Sequence, residues 1–250
     1  MPMDLKVGLD AKALQRDLSA LAENEIPKAA ASALNRLATG ARMKVVDRMK
    51  EVFDRPNAFT LNGFFTRPAT GKNLEAWVAT RDFARRGTPA ITYLGPQIHG
   101  GERDMKRFEK ALRTVSGGQY VVPGKDCPLD ENGNIKRGII IQILSRLNLM
   151  LDPTSNMGDR TARRIAKQLK NARGSHSEFF VGYERGNRRP RGIFKLIGPG
   201  KIGEILRFVS QPHYKARLPV EQIVNETIAR RQDRVVNEEI IKVFRRRGLR

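Results

Sequence analysis

Four clusters of basic side chains carry the clearest chemical signal in this sequence. Arg103, Lys106 and Arg107 belong to the first; Arg160, Arg164 and Lys167 to the second; Arg185, Arg188 and Arg189 to the third; Arg245, Arg246 and Arg247 to the fourth. Cationic groups placed this way could neutralise phosphates without reading bases, or meet an acidic protein surface. Each cluster could equally be a solvated face. The chain as a whole has 47 Lys and Arg against 26 Asp and Glu, a formal charge of +21. That balance implies a polyanionic neighbour such as nucleic acid, an anionic membrane or an acidic protein, against the plainer reading of a basic surface that only aids solubility. No zinc-finger, helix-turn-helix or RNA-recognition signature accompanies the charge.

Other chemical motifs dissolve on inspection. Gly198 to Gly203 reads GPGKIG, but a phosphate loop would need glycine at 195 and serine or threonine at 202, where Lys195 and Ile202 stand. Asp130, Asn132 and Asn134 resemble the first ligands of a calcium loop, yet Ile135 replaces its glycine and Ile141 its closing glutamate. His99, His176 and His213 have no metal-ligand spacing, and Ser175, His176 and Ser177 do not make a triad. Cys127 is the only cysteine, which excludes an intramolecular disulfide and a cysteine-based zinc site. No carboxylates pair at helical spacing. The expectation is therefore no catalytic, metal or cofactor-binding residue and no cofactor.

The elements that must carry the basic clusters follow from periodicity. Asp10 can cap a helix with Leu14, Leu18 and Leu21 on one face. From Ile26, apolar or small residues recur at Ala30, Ala33, Leu37, Ala41, Val45, Met49 and Val52, predicting a long helix that Pro56 ends. Residues 64–66 and 74–80 read as strands around a turn at 68–72, and Ala90 to Leu94 (AITYL) as a third. A basic helix is expected over 102–113, with Met105, Phe108 and Leu112 inward and Arg103, Lys106, Arg107, Lys110 and Arg113 outward. A short strand at 120–122, turn chemistry at 130–134 and a buried helix on Ile139, Ile143 and Leu147 come next; Ile139 to Ile141 leaves a strand open.

Residues 161–172 form a basic amphipathic pattern with Ala162, Ile165, Leu169 and Ala172 on one face. A strand at 178–183, a basic loop at 185–191 and a hairpin of 192–197 with 202–209 lead to the last helix, opening at Pro219. That helix puts Val220, Ile223, Ile228, Val235, Ile240 and Phe244 roughly on one side, a stripe interrupted by Arg230 and Arg231.

With 250 residues and 40% hydrophobic content the chain can bury a sizeable core. The expected class is α+β: one domain over 1–250, a mostly antiparallel sheet packed by the long N-terminal helix, an inserted helical lobe at 126–158, and a C-terminal helix with a basic tail at 219–250. The greasiest run, 139–151, is broken by Gln142, Ser145 and Arg146 and falls short of the ~18 apolar residues of a membrane span. A soluble, intracellular chain with no membrane partner is expected.

Four pieces carry a family resemblance: ALNRLA at 33–38, KRFEKAL at 106–112, DENGNIKRGIIIQILSRL at 130–147, and 192–218 with its GIF start and YKARL ending. In these the chain resembles the phage minor tail protein Z family, within the wider group of head–tail connector, tail-completion and neck proteins. The resemblance implies a non-enzymatic virion protein, assembled in the host cytoplasm into a homo-oligomeric ring at the tail top or neck. Its implied partners are other connector, portal or tail-tube proteins, with packaged DNA passing through. A sequence-independent nucleic-acid-binding protein is the alternative, and a nuclease would need a carboxylate cluster that only folding could assemble.

Overall fold

The computed structural model describes residue 19 and residues 21–85, 87–170, 179–198 and 201–246. A π-helical turn, Leu21–Glu25, leads into α1 (Ile26–Val52), α2 (Ala58–Leu61), β1 (Phe64–Arg67), β2 (Trp77–Thr80) and α3 (Ala90–His99). Next come β3 (Gly101–Glu102), α4 (Arg107–Ala111), α5 (Arg113–Ser116), β4 (Tyr120–Pro123), α6 (Arg137–Arg146) and α7 (Asp159–Lys170). The chain continues through β5 (Phe179–Tyr183), β6 (Pro190–Gly198), β7 (Lys201–Val209) and β8 (His213–Tyr214) to α8 (Val220–Arg246). The class is α+β with antiparallel sheets and long helices near both ends. The helix expected after Asp10, the 175–177 motif, the turn residues Pro199 and Gly200, and Arg247 lie outside the described residues.

Contacts divide the described residues into two compact units. The first contains α1, the β1–β2 hairpin and α8. Pro27 stands two residues after the π-helical turn Leu21–Glu25, an irregularity of the kind expected where proline takes an N–H out of the helical ladder. Its inner face buries Ala33, Leu37, Ala41, Val45 and Met49, as the spacing predicts. Ala33 and Leu37 cluster with Val235, Ser32 bonds Glu239, and Gly40 faces Arg231, so the two long helices run antiparallel.

The stripe expected on α8 needs correction. Val235 is buried, but Ile240 and Phe244 are each 40% exposed, and the buried residues are Thr227, Val235, Glu239 and Val243. Successive members of the line 227, 231, 235, 239 and 243 are four apart, each only about 40° round from the last, whereas Ile240 and Phe244 sit about 100° beyond the members they follow. Arg231 belongs to the inner line and does not interrupt it. Its guanidinium crosses α1 at Gly40, where a Cβ would approach Nη1 to 2.6 Å.

A buried carboxylate joins these helices. Glu239 accepts hydrogen bonds from Ser32 Oγ at 2.9 Å, Arg36 Nη1 at 2.6 Å and Lys242 Nζ at 2.6 Å. The Lys242 ammonium, against the opposing cost of burial and with help from Ser32 and Arg36, holds its carboxyl down to about 2, from an ordinary 4.5. A depressed folded pKa stabilises the native state above the unfolded value and loses that contribution as pH falls through the folded one. Melting temperature should therefore drop between pH 4.5 and 2 through this site, and the drop should be shallower in Glu239→Gln; equal slopes in scans of both proteins would contradict the assignment.

The β1–β2 hairpin pairs antiparallel, Phe64 with Thr80 and Arg67 with Trp77, so the second strand begins later than the expected position 74. Asn35 fixes it to α1: its Oδ1 accepts from Ala69 N at 2.7 Å and its Nδ2 donates to Ala69 O at 3.0 Å. Arg42 Nε adds a bond to Phe64 O at 2.8 Å.

The second unit is built on a four-stranded antiparallel sheet in the order β4-β7-β6-β5. The β6–β7 hairpin stands where the sequence puts it. Inner strand β7 buries Gly203, Glu204, Ile205 and Leu206 in succession, the pattern of a strand covered on both faces. Leu112, Val121, Ile143, Phe179, Ile193, Ile205, Leu206 and Phe208 form its core. Segment 126–158 supplies Ile143 to that core through α6, the helix expected on Ile139, Ile143 and Leu147. Gly124 is where the backbone crosses β7: its N–H donates to Ile205 O at 2.9 Å, and any Cβ would collide with the Glu204 carbonyl.

Ala90 to Leu94, expected as a strand, is the first half of helix α3. Its β-branched and aromatic content suits either element, and a short apolar run does not separate them. Burial of Ala90 and Leu94, four apart, decides for the helix.

Candidate polyanion-contact surface

The third basic cluster sits on the tip of an antiparallel hairpin. Strands β5 and β6 pair from Phe179 with Lys195 to Tyr183 with Pro190, and Phe180 stacks on Phe194 with ring centroids 6.1 Å apart. Between them Glu184 N donates to Arg189 O at 3.0 Å and Asn187 N to Glu184 O at 3.2 Å. Gly186 takes φ +79°, a left-handed conformation that a side chain would resist, and so closes the turn. Arg185, Arg188 and Arg189 are all exposed on this tip.

The tip is braced from below. Gln119 Nε2 donates to Ser116 O at 3.0 Å and to Pro190 O at 2.8 Å, and Arg189 Nη2 donates to Gln119 Oε1 at 3.3 Å. Arg191 and Lys195 continue the positive charge down β6, over the rings of Phe194 and Phe179 at 6.0 and 5.1 Å. Arg191 closes the basic loop expected at 185–191, whereas Lys195 and Gln119 were not candidates from sequence. The available signal for Lys195 was its even spacing from Arg191, since side chains an even number of positions apart share one face of a strand.

Of the other clusters, Arg160, Arg164 and Lys167 are exposed on α7, where the spacing predicts a basic helix. The side chains of Ala162, Ile165 and Leu169, and Ala172 altogether, lie outside the described residues. Arg245 and Arg246 are exposed in the last turn of α8, where cations oppose the helix dipole favourably.

The first cluster is the one the structure breaks up. No helix spans 102–113: Glu102 lies in β3, paired with His213, and the helix begins at Arg107. Arg103 is 7% exposed and Glu109 0%, and they form a two-pronged ion pair with both N···O distances 2.6 Å. Arg103 Nε also donates to the Tyr214 hydroxyl at 3.2 Å, its guanidinium lies 4.8 Å from the Tyr120 ring centre, and Tyr120 Oη donates to Arg103 O at 2.8 Å. Arg103 is a core residue and leaves the set of surface contacts. Glu109 further accepts from Lys106 N at 2.7 Å and Val121 N at 3.2 Å. Burial pushes its carboxyl up, but the Arg103 guanidinium and these backbone groups outweigh that and leave it below the usual carboxylate range.

Lys106 is half-buried, and burial with the charge of Arg103 lowers its ammonium pKa. Only Arg107 of this group is exposed. Sequence reasoning missed Glu109, although an acid three residues after a helix's first flanking residue is the spacing of an N-terminal cap.

Buried acids elsewhere are likewise spoken for. Glu204 takes two bonds from Arg207, at 2.6 and 3.0 Å, and Glu239 is held as described above. Among the described residues no three His, Cys, Asp or Glu side chains are placed to hold a metal ion, and no helix is long and apolar enough to cross a membrane. No family model, no curated protein and no solved structure matches the chain.

Proposed function

We propose that the protein is a structural, non-enzymatic component of a tailed-phage particle, forming a ring of identical subunits at the head–tail interface or tail top through which DNA passes. The observation that carries this reading is the division of labour among charges. Buried carboxylates Glu109, Glu204 and Glu239 are each locked to a cation, while Arg185, Arg188 and Arg189 project from a braced tip. Such a tip can hold a passing phosphate backbone without selecting a sequence. The exposed apolar residues Val236, Ile240, Ile241 and Phe244 on α8 offer a neighbouring subunit the kind of surface that a ring buries. The four-piece family resemblance points the same way. Portal, tail-tube or other connector proteins are then the partners, and the virion the final location, after assembly in the host cytoplasm.

Native mass spectrometry and electron microscopy of the purified chain should find closed rings, and Ile240→Asp with Phe244→Asp should shift them toward monomer with helix content unchanged. A persistent monomer that never enters particles would defeat the reading. The hairpin tip also supports a second reading, a sequence-independent nucleic-acid-binding protein without a ring. Tight, strongly salt-dependent binding of arbitrary duplex by a monomer would favour it.

A further inference from the structure

We propose that an apolar groove of the second unit, bordered by α2, α4 and α6, is the docking site for an acidic amphipathic helix of a different protein. The groove has a volume of about 690 Å³. Its floor is Phe108, Leu144 and Leu149, half-buried side chains that pack against the sheet's hydrophobic core. Its lip is unusually greasy for a surface: Phe59 is 51% exposed, Ile141 42% and Leu151 98%. Side chains of this shape accept leucine or isoleucine anchors spaced along one face of a helix.

Charge identifies the occupant. Arg85, Arg107 and Arg137 line the same groove and are exposed. Among the described residues none of these three guanidinium groups has a hydrogen-bonded or ion-paired partner. The one acid among the described lining residues, Asp152, is already occupied by Thr154, whose N–H and hydroxyl donate to Oδ1 at 2.9 and 2.7 Å. An incoming helix with acidic flanks would give the three cations partners while burying the lip.

A second copy of this chain is disfavoured, because the exposed apolar face of α8 is flanked by Lys242, Arg245 and Arg246 and would bring like charges together. Nucleic acid is disfavoured because the floor and lip are mainly aliphatic and offer few platforms for bases. The site is separate from the hairpin tip and does not rest on the ring reading.

The test uses the full chain and two labelled synthetic helical peptides with the same leucine stripe, one flanked by glutamates and one by lysines. In fluorescence anisotropy the glutamate peptide should bind at least about tenfold more tightly than its lysine twin. Ile141→Glu with Leu151→Glu should weaken the glutamate peptide by about tenfold or more, the cost of losing apolar anchors and adding repulsion, and leave duplex DNA binding unchanged. Because both residues are exposed, this variant should keep its fold. Arg137→Glu provides a second handle, narrowing the preference between the peptides. Binding of neither peptide, equal binding of both, or glutamate-peptide affinity unchanged in the Ile141/Leu151 variant would overturn the proposal; the last would assign the attraction to the basic surface at large.

Discussion

Arg103→Leu should destabilise the protein by about 3–5 kcal/mol, the largest single-residue effect expected outside the hydrophobic core, because it strands the fully buried Glu109 carboxylate. Denaturant unfolding monitored by circular dichroism measures it. Arg103→Leu with Glu109→Leu together should cost less than the sum of the two single changes, since no unpaired charge remains and the residual loss comes from the Lys106 and Val121 N–H groups that donate to Glu109. Such non-additivity separates a paired charge from a simple packing loss. The pair should also be a focus of acid unfolding. Glu109 has a depressed folded pKa, so its stabilisation is complete above the ordinary carboxylate value of 4.5 and is lost as pH falls below it. If the single variant loses less than about 1 kcal/mol, water reaches the carboxylate and the pair is not the buried hub described here.

The hairpin tip should show the largest functional effect. Arg185→Glu, Arg188→Glu and Arg189→Glu together should weaken binding to duplex DNA of arbitrary sequence by on the order of 10²–10³ near 0.1 M salt. The estimate follows from losing three phosphate contacts at about 0.9 of salt slope each, and reversal of sign makes it a lower bound. The salt dependence should flatten in proportion, with no change in sequence preference, because phosphate contacts position without specifying. Folding should be untouched: backbone bonds between Glu184 and Arg189 close the turn, and Gln119 holds Pro190 from below. An unchanged salt slope would show that the tip does not contact DNA phosphates.

Much of the architecture could be read from spacing. Helix α1 announces itself through Ala33, Leu37, Ala41, Val45 and Met49, and the β6–β7 hairpin through two apolar runs on either side of a glycine-rich turn. These elements satisfy local preference and burial together, so periodicity is enough. Ala90 to Leu94 failed the same test because its composition favours a strand while burial of Ala90 and Leu94 demands a helix. On α8, five positions four apart form the inner line, and Thr227, Arg231 and Glu239 are among them; a search for apolar residues alone therefore chose the neighbouring face.

The candidate surface divides in the same manner. Sequence by itself determined the strong positive charge and the α+β class, and it picked out basic residues such as Arg107, Arg164 and Arg188 that are exposed in the structure, since charge and periodicity belong to residue types. Only the tertiary structure decided that Arg103 is interior while Arg185, Arg188 and Arg189 share one braced tip, and that arginines without an ion-pair partner among the described residues border an apolar groove. The physical reason is that a charge's role depends on its partner and its access to water. Glu109 lies six residues from Arg103, and folding closes them into a bidentate pair at 2.6 Å, out of reach of solvent.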